Sequence, residues 1–258
     1  MSEPLYMLRA APDRPGLAAW AATHGFLGRD GELGYALHAA LTAAFGELAP
    51  RPFRLYERRP RRRGELTTDD PVLYAYSRQP AATLLERARA FADPALWDPL
   101  GLDHLAGKPM PTTYPASGRL GFEVRVRPVR RRERQNGTNE RDVFLIACDR
   151  VDAATPVDRA EVYSAWLDEQ FGEGGARLVR VSSEGGQRSC CRLDAFRRVR
   201  VARRDASRRL RWVEGPDAVM SGALEVTDPE PFAASLARGI GRHRAFGFGM
   251  LLLQPPGR

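Results

Sequence analysis

Apolar residues in the first half of the chain recur at two periods. The apolar run Leu5–Ala10 has the length of a strand, and helical spacing predicts a helix from Pro15 to His24, ended by Gly25. The same patterns predict strands over Phe53–Arg58, Val72–Ser77 and Leu120–Val129, and helices over residues 31–46 and Ala81–Phe91. With its first helix split in two, this order is β-α-β-β-α-β, which is typical of a ferredoxin-like unit.

The same order returns in the second half of the chain. The patterns predict strands over Asp142–Cys148, Arg177–Ser182, Ala218–Thr227 and Gly247–Leu253, and helices over Val157–Phe171 and Pro229–Arg238. Two basic runs, Phe196–Arg204 and Arg208–Val213, flank the turn Asp205–Ser207 and predict an inserted hairpin. The segment Arg130–Asn139 is charged and aperiodic, so we interpret it as a linker or mobile loop.

These elements predict an α+β chain of two tandem ferredoxin-like units, the second with an inserted basic β-hairpin. We expect the first unit over residues 1–129, the linker over 130–140 and the second unit over 141–258.

Composition favours a polyanionic partner. The net charge is +8, the pI is about 10.0, and Lys108 is the only lysine among 40 basic residues. Guanidinium groups bind phosphate bidentately and stack on bases, so an arginine-rich surface suits nucleic acid.

Three cysteines without metal-ligand spacing predict free thiols and no metal site. We expect no cofactor. With no leader and no long apolar run, we expect a cytoplasmic protein without a membrane partner.

A glycine-rich segment near the end of the chain, Gly239–Gly249, carries the clearest local signal. Its glycines are Gly239, Gly241, Gly247 and Gly249, and its basic residues are Arg242, His243 and Arg244. Glycine tolerates positive φ and lets backbone N–H groups approach an anion, so the segment suits a polyphosphate backbone. The spacing is not that of a dinucleotide fingerprint or a P-loop. The alternative is a plain glycine-rich turn before a last strand.

A tyrosine and a histidine lie one turn apart on the predicted helix 31–46. The buried stripe of that helix is formed by Leu33, Leu37, Leu41, Ala44, Phe45 and Leu48. His38 falls at the edge of this stripe and Tyr35 beyond it, about 60° away on the helical wheel. Spacing alone fits a boundary histidine whose ring nitrogens are satisfied by the backbone.

The segment Gly239–Gly249 resembles the signature loop of the repeat-associated RNA-binding proteins of CRISPR systems. Within that superfamily, Tyr35-Ala-Leu-His38 is similar to the active-site helix of the CasE endoribonucleases, which cut precursor CRISPR RNA in type I-E systems. The resemblance implies that His38 and Tyr35 are the catalytic pair. The additional helix that ends at His24 departs from the family pattern, so His24 is a rival, and His243 is a possible assistant.

The resemblance also implies a reaction that needs no metal. A base removes the proton from a ribose 2′-OH, which attacks the adjacent phosphorus and leaves a 2′,3′-cyclic phosphate and a 5′-OH. It further implies recognition of the repeat hairpin, cleavage at the 3′ base of its stem, retention of the mature crRNA and assembly with other Cascade subunits.

Basic stretches predict where RNA would bind. They cover Arg58–Arg63, Arg125–Arg134 and Arg197–Arg211, and we expect contacts from Arg125, Arg127, Arg198, Arg200 and Arg204. Arg198, Arg200 and Arg204 share one face of the predicted hairpin. The alternative is a solvated hairpin with its arginines outward.

Two other functions remain open. One is a noncatalytic RNA-binding subunit of a CRISPR ribonucleoprotein, in which Tyr35 and His38 are ordinary helix residues. The other is an unrelated basic α+β protein that binds DNA or ribosomal RNA, although no helix-turn-helix or zinc module supports it.

Overall fold

A computed structural model gives the fold of the chain. It describes residues 3–26, 33–56, 71–134, 137–152, 155–183, 186–204 and 210–255, although the side chains of 132–134, 137–139, 183, 201–204 and 210–213 are not described. The predicted basic turn Arg58–Arg63 lies outside the described residues. The described residues form two compact units, the first within 1–112, 200–213 and 244–250, and the second within 113–199, 214–243 and 251–258.

The first unit has the ferredoxin-like element order. Its elements are β1 (Tyr6–Ala10), α1 (Arg14–Thr23), α2 (Gly34–Phe45), β2 (Phe53–Tyr56), β3 (Val72–Ser77), α3 (Ala81–Phe91), α4 (Trp97–Leu100) and β4 (Ala106–Pro109). The strands form one antiparallel sheet in the order β2-β3-β1-β4. The apolar faces of α1, α2 and α3 cover the same core, to which Leu17, Leu37 and Leu84 each contribute a fully buried side chain.

The fourth strand of this unit is not the predicted one. Strand β4 has the sequence Ala-Gly-Lys-Pro and all four of its residues are exposed, so it carries no alternation that sequence reading could detect. Its pairing with β1 completes the sheet. The unit therefore closes before residue 112, and the predicted boundary at residue 129 was placed too late.

The second unit begins with the strand that the sequence had assigned to the first. Its elements are β5 (Arg119–Val126), β6 (Val129–Arg134), β7 (Gly137–Asp142), α5 (Val143–Cys148), α6 (Arg159–Glu173), β8 (Ala176–Leu178), β9 (Arg180–Ser183), β10 (Gly186–Ser189), β11 (Cys191–Arg204), β12 (Leu210–Val226), α7 (Pro229–Arg238) and β13 (Leu251–Gln254). Strands β8, β12, β5 and β13 lie side by side in that order and pair antiparallel, which repeats the ferredoxin-like arrangement. The predicted α+β class with two such units agrees with this architecture.

Two predictions between residues 130 and 148 were wrong. The segment interpreted as a linker forms the hairpin of β6 and β7, paired from Val129 with Asp142 to Arg134 with Gly137. The predicted strand Asp142–Cys148 is helix α5, because the Asp142 side chain accepts a hydrogen bond from the Phe144 backbone N–H and caps it. A short apolar run does not distinguish a strand from a helix by period.

The predicted basic hairpin is present as the long strands β11 and β12, which are neighbours in the second sheet. Val199 is half-buried whereas Arg198 and Arg200 on either side of it are exposed, as the alternation predicts. No helix among the described residues is long and apolar enough to span a bilayer.

A buried ion pair joins β5 to β12 in the second unit. Arg125 donates through Nε and Nη2 to the two carboxylate oxygens of Asp217, each at 2.7 Å, and Arg197 Nε donates to Oδ2 at 2.8 Å. Burial alone would raise the pKa of Asp217, but the bonds and charges of Arg125 and Arg197 outweigh it and lower the pKa below its ordinary value. The carboxylate therefore stabilises the fold at neutral pH, and this contribution is lost as the pH falls below about 3.9.

Asp217→Asn tests this pair. Removing one charge of a buried pair leaves Arg125 uncompensated, so we expect the free energy of unfolding in urea to fall by about 3 kcal/mol. The matched control is Asp194→Asn, because Asp194 pairs with the exposed Arg192 on β11 and its removal should cost less than about 0.5 kcal/mol. Equal effects of the two substitutions would contradict the account.

Candidate active site on helix α2

Helix α2 presents Tyr35 and His38 on neighbouring positions, as the spacing predicts. His38 is half-buried, which agrees with its place at the edge of the apolar stripe. Tyr35 is only 9% exposed, so the prediction that it lies beyond the stripe was wrong. The reason is that aromatic side chains from outside α2 cover Tyr35, and a helical wheel of α2 alone does not include them.

Two phenylalanines supply that cover, Phe26 from the segment after α1 and Phe246 from the glycine-rich segment near the end of the chain. The Phe26 ring meets Tyr35 edge-on at 5.7 Å between centroids, and the Phe246 ring stacks on Tyr35 at 5.8 Å with 25° between planes. Phe246 also meets the His38 imidazole edge-on at 5.2 Å. The Phe246 ring therefore covers one side of the His38 imidazole, and the Tyr35 ring lies one helical turn before it.

Phe246 reaches α2 because the glycine-rich segment turns sharply. Gly239, Gly241, Gly247 and Gly249 all adopt positive φ, between 69° and 83°. A side chain at any of these positions would be strained, so glycine is required there. Between them, Arg244–Phe246 forms a single 3₁₀ turn that packs against α2. The positive φ values use the conformational freedom for which glycine was noted in the sequence.

Within the second unit, Arg242 and His243 are held by one carboxylate. Arg242 Nε and His243 Nε2 lie 2.6 Å from the two oxygens of Glu140. Burial raises the pKa of Glu140, but the hydrogen bonds and charges of His243 and Arg242 outweigh it and lower the pKa to about 2. The His243 side chain is 4% exposed, so this geometry favours an anchoring role over contact with RNA, whereas the Arg242 side chain is 41% exposed.

Electrostatics keep His38 neutral. Its partial burial and, second, the positive charge of Arg51 both lower the pKa of His38 below 6.5. Neutral imidazole is the form that accepts a proton, so His38 has the protonation state that a general base requires at neutral pH.

His38 lines two open grooves of the first unit. One, of about 610 Å³, is bordered by Thr42, Glu47, Arg51 and Phe53 and contains the cationic Arg51. The other, of about 510 Å³, is bordered by the rings of Trp20, His24, Phe26 and Tyr35. We call them the Arg51 groove and the aromatic groove. A substrate that contacts His38 therefore has the Arg51 cation available on one side and aromatic rings on the other.

His24, the rival catalytic histidine, lines the aromatic groove as well. Its Nδ1 lies 2.8 Å from the Trp20 carbonyl oxygen at the end of α1, to which it donates. This bond leaves Nε2 as the acceptor of the neutral ring. Because His24 and His38 line the same groove, His24 is a candidate for a supporting role.

Two arginines predicted to bind RNA are buried. Arg125 is 8% exposed and is engaged by Asp217, and Arg127 is 1% exposed, with its guanidinium close against Gly215. These side chains point into the second unit, so their assignment to an RNA-binding surface is corrected. Basic composition does not reveal that a strand arginine faces inward when its carboxylate partner is distant in sequence.

The hairpin arginines lie on the surface. Arg198 is 64% exposed beside Glu214, and Arg200 is exposed. The backbone of Arg204 belongs to β11, but its side chain lies outside the described ones. No group of three or more His, Cys, Asp or Glu residues within the described part of the chain is arranged to hold a metal ion.

The pKa of His38 gives a direct test of the site. In an NMR titration of the free protein we expect the His38 midpoint below 6.5, and Arg51→Gln should move it upward because one of the two lowering influences is removed. The midpoint in the variant should stay below 6.5, since burial is the larger cause. Arg78→Gln, on an exposed arginine paired with Glu3, is the matched control and should change nothing. A wild-type midpoint at or above 6.5 would refute this electrostatic picture.

Known proteins resemble the chain in sequence and fold. The CRISPR-associated endoribonuclease Cse3 of Thermus thermophilus is 30% identical over 148 residues, which make up 57% of this chain and 61% of that protein. The aligned region thus spans less than two thirds of the curated relative. A solved structure of Cse3 endoribonuclease bound to 19 nt RNA is 20% identical with a TM-score of 0.59, covering 98% of this chain and 100% of that one.

A chain of a CRISPR RNA-guided surveillance complex has the same fold, at 16% identity and a TM-score of 0.52, with 97% of this chain and 99% of that one covered. The profile of a family described as CRISPR associated protein matches residues 5–255. Since that match includes every element of both units, the chain belongs to this family of CRISPR associated proteins.

Proposed function

We propose that the chain is a metal-independent endoribonuclease that recognises a CRISPR repeat hairpin and cleaves precursor CRISPR RNA at the 3′ base of the stem. The observation that carries this proposal is His38, a half-buried imidazole with a lowered pKa that faces two grooves. The sequence similarity to an endoribonuclease and the shared fold with an RNA-bound Cse3 support it.

In the proposed reaction, neutral His38 removes the proton from a ribose 2′-OH. The 2′ oxygen attacks the adjacent phosphorus in line, and the P–O5′ bond breaks to leave a 2′,3′-cyclic phosphate and a 5′-OH. The proton that the leaving oxygen needs comes from a protonated group or from water. Because a loose RNA junction rarely samples in-line geometry, holding it in place supplies much of the acceleration.

Tyr35 and the basic groups have positioning roles in this scheme. The stacked ring of Tyr35 restricts its hydroxyl, which we assign to orient the 2′-OH. Arg51 lines the groove beside His38, and Arg244 belongs to the 3₁₀ turn that packs on α2, so both are candidates to meet the charge that builds on the phosphorane. The same Arg51 charge lowers the pKa of His38, which links substrate binding to the protonation state of the base.

The exposed arginines of β11 are proposed to hold the RNA. An arginine ribbon contacts phosphates along an A-form stem without reading its sequence. We further propose that the mature crRNA stays bound and that the protein joins other Cascade subunits in the cytoplasm. The fold shared with a chain of a CRISPR RNA-guided surveillance complex supports this assembly.

Cleavage of repeat RNA in EDTA tests the activity. We expect wild type to cut without metal, and His38→Ala to lose about 10²–10⁴-fold in single-turnover rate because it lacks the general base. A substrate with 2′-deoxy at the scissile position should not be cut. His104→Ala, on an exposed histidine of the same unit, is the control and should cut at the wild-type rate. Tight hairpin binding without cutting by wild type would instead indicate a noncatalytic RNA-binding subunit.

The salt dependence of binding tests the arginine ribbon. In Arg198→Ala and Arg200→Ala we expect weaker hairpin binding, and each phosphate that is no longer neutralised should reduce the slope of log affinity against log salt by about 1. Arg177→Ala, on an exposed arginine of β8 that pairs with Glu225 near the end of β12, should leave the slope unchanged. An unaltered slope in both ribbon variants would remove β11 from the interface.

A further inference from the structure

We propose that the aromatic groove binds one unpaired nucleobase of the RNA beside the scissile phosphate, and that it prefers a base with an exocyclic amine. The inference rests on the proposed function, because it deepens the same site by assigning a second ligand-binding surface to it. All residues that line the groove belong to the first unit.

Flat rings dominate the walls of this groove. Trp20 and His24 stack at 4.5 Å between centroids with 28° between planes, and Phe26 lies within 13° of the His24 plane at 6.0 Å. The Tyr35 ring lies edge-on to the Phe26 ring. Trp20 and Phe26 are tilted by 41° to each other, so His24 is the ring that lies closest to parallel with its neighbours. Aromatic walls beside an open volume of about 510 Å³ suit another flat ring, and every nucleobase has one.

The negative charge in the aromatic groove favours a nucleobase over a phosphate as the bound group. The acidic residue in the lining is Asp93, whose Oδ1 accepts a hydrogen bond from the Ala95 backbone N–H. A carboxylate accepts several hydrogen bonds, so Asp93 retains acceptor capacity toward the groove. It repels a phosphate and accepts from an exocyclic amine, as carboxylates do from cytosine N4. Uracil lacks such a donor.

The position of the groove connects it to the chemistry. Tyr35 and His38 line the aromatic groove, and His38 also lines the Arg51 groove. A nucleotide that places its phosphate toward Arg51 can therefore lay a neighbouring base on the rings while its ribose faces His38. Base stacking would then hold the RNA in one register and help to fix the in-line geometry. Trp20, His24 and Phe26 are positioning and specificity residues in this assignment.

His24 contributes a second polar contact in this assignment. Its Nδ1 is engaged by the Trp20 carbonyl oxygen, so the neutral ring offers Nε2 as an acceptor. His24 Nε2 and the Asp93 carboxylate are both hydrogen-bond acceptors. The lining therefore matches a base that carries an amine donor.

Fluorescence of 2-aminopurine tests the stacking directly. The probe is placed in turn at each unpaired position beside the stem base of a repeat RNA that carries 2′-deoxy at the scissile position, so that no cleavage occurs. We expect strong quenching on binding to wild type at one position. Phe26→Leu, which keeps apolar volume but removes a ring, should reduce the quenching and weaken binding about tenfold. Phe91→Leu, on an exposed aromatic outside the groove, should change neither.

Base preference provides a second measurement that does not depend on the stability of the aromatic cluster. Asp93→Asn keeps an N-cap side chain but removes the charge. We expect wild type to bind cytosine or adenine at the quenched position at least fivefold more tightly than uracil, and the variant to lose this preference, because an amide also donates. Asp13→Asn, a capping residue of α1 outside the groove, should keep the wild-type preference.

The outcomes separate this proposal from the proposed function. If no position is quenched, or if quenching is equal in wild type and Phe26→Leu, the base-binding site is wrong even where the protein cuts RNA. If wild type and Asp93→Asn prefer cytosine or adenine over uracil to the same extent, Asp93 is not the group that recognises the exocyclic amine. Quenching that disappears in Phe26→Leu, in a protein that never cleaves, supports the base site while the catalytic role of His38 fails.

Discussion

The backbone of the glycine-rich segment is the constraint on which the candidate site depends. Four glycines with positive φ allow the chain to turn back within eleven residues, and the single 3₁₀ turn between them lays Phe246 on Tyr35 and His38. Without that ring, α2 would present an ordinary boundary histidine with one open side. The segment thus has a structural task at the candidate site besides the phosphate contacts that are proposed for its amides.

The protonation state of His38 follows from its surroundings rather than from its residue type. Burial and the charge of Arg51 act in the same direction on the pKa, so the imidazole stays neutral where many surface histidines begin to protonate. Arg51 also lines a groove beside His38. In the proposed function an RNA phosphate bound there would offset the Arg51 charge, so one arginine would influence both the substrate and the base.

The sequence predicted the local patterns well and the long-range relations poorly. The helical period of α2 and the glycine spacing identified Tyr35, His38 and the turn, because both signals lie within a few residues. Strand β4 was missed since its exposed residues carry no alternation, and β5 was placed in the wrong sheet since alternation does not specify a partner. The burial of Arg125 depends on Asp217, 92 residues away, which no local pattern records.

The most direct test of the account is the pH dependence of single-turnover cleavage at enzyme concentrations well below saturation, where the rate reports the protonation state of the free enzyme. If neutral His38 is the general base, the rate rises as the imidazole loses its proton, with a midpoint below 6.5 in the free enzyme, and is flat from about pH 7 to 8. A rate that keeps rising tenfold per pH unit through pH 8 would show that hydroxide or another group removes the 2′-OH proton, and would contradict the central role of His38.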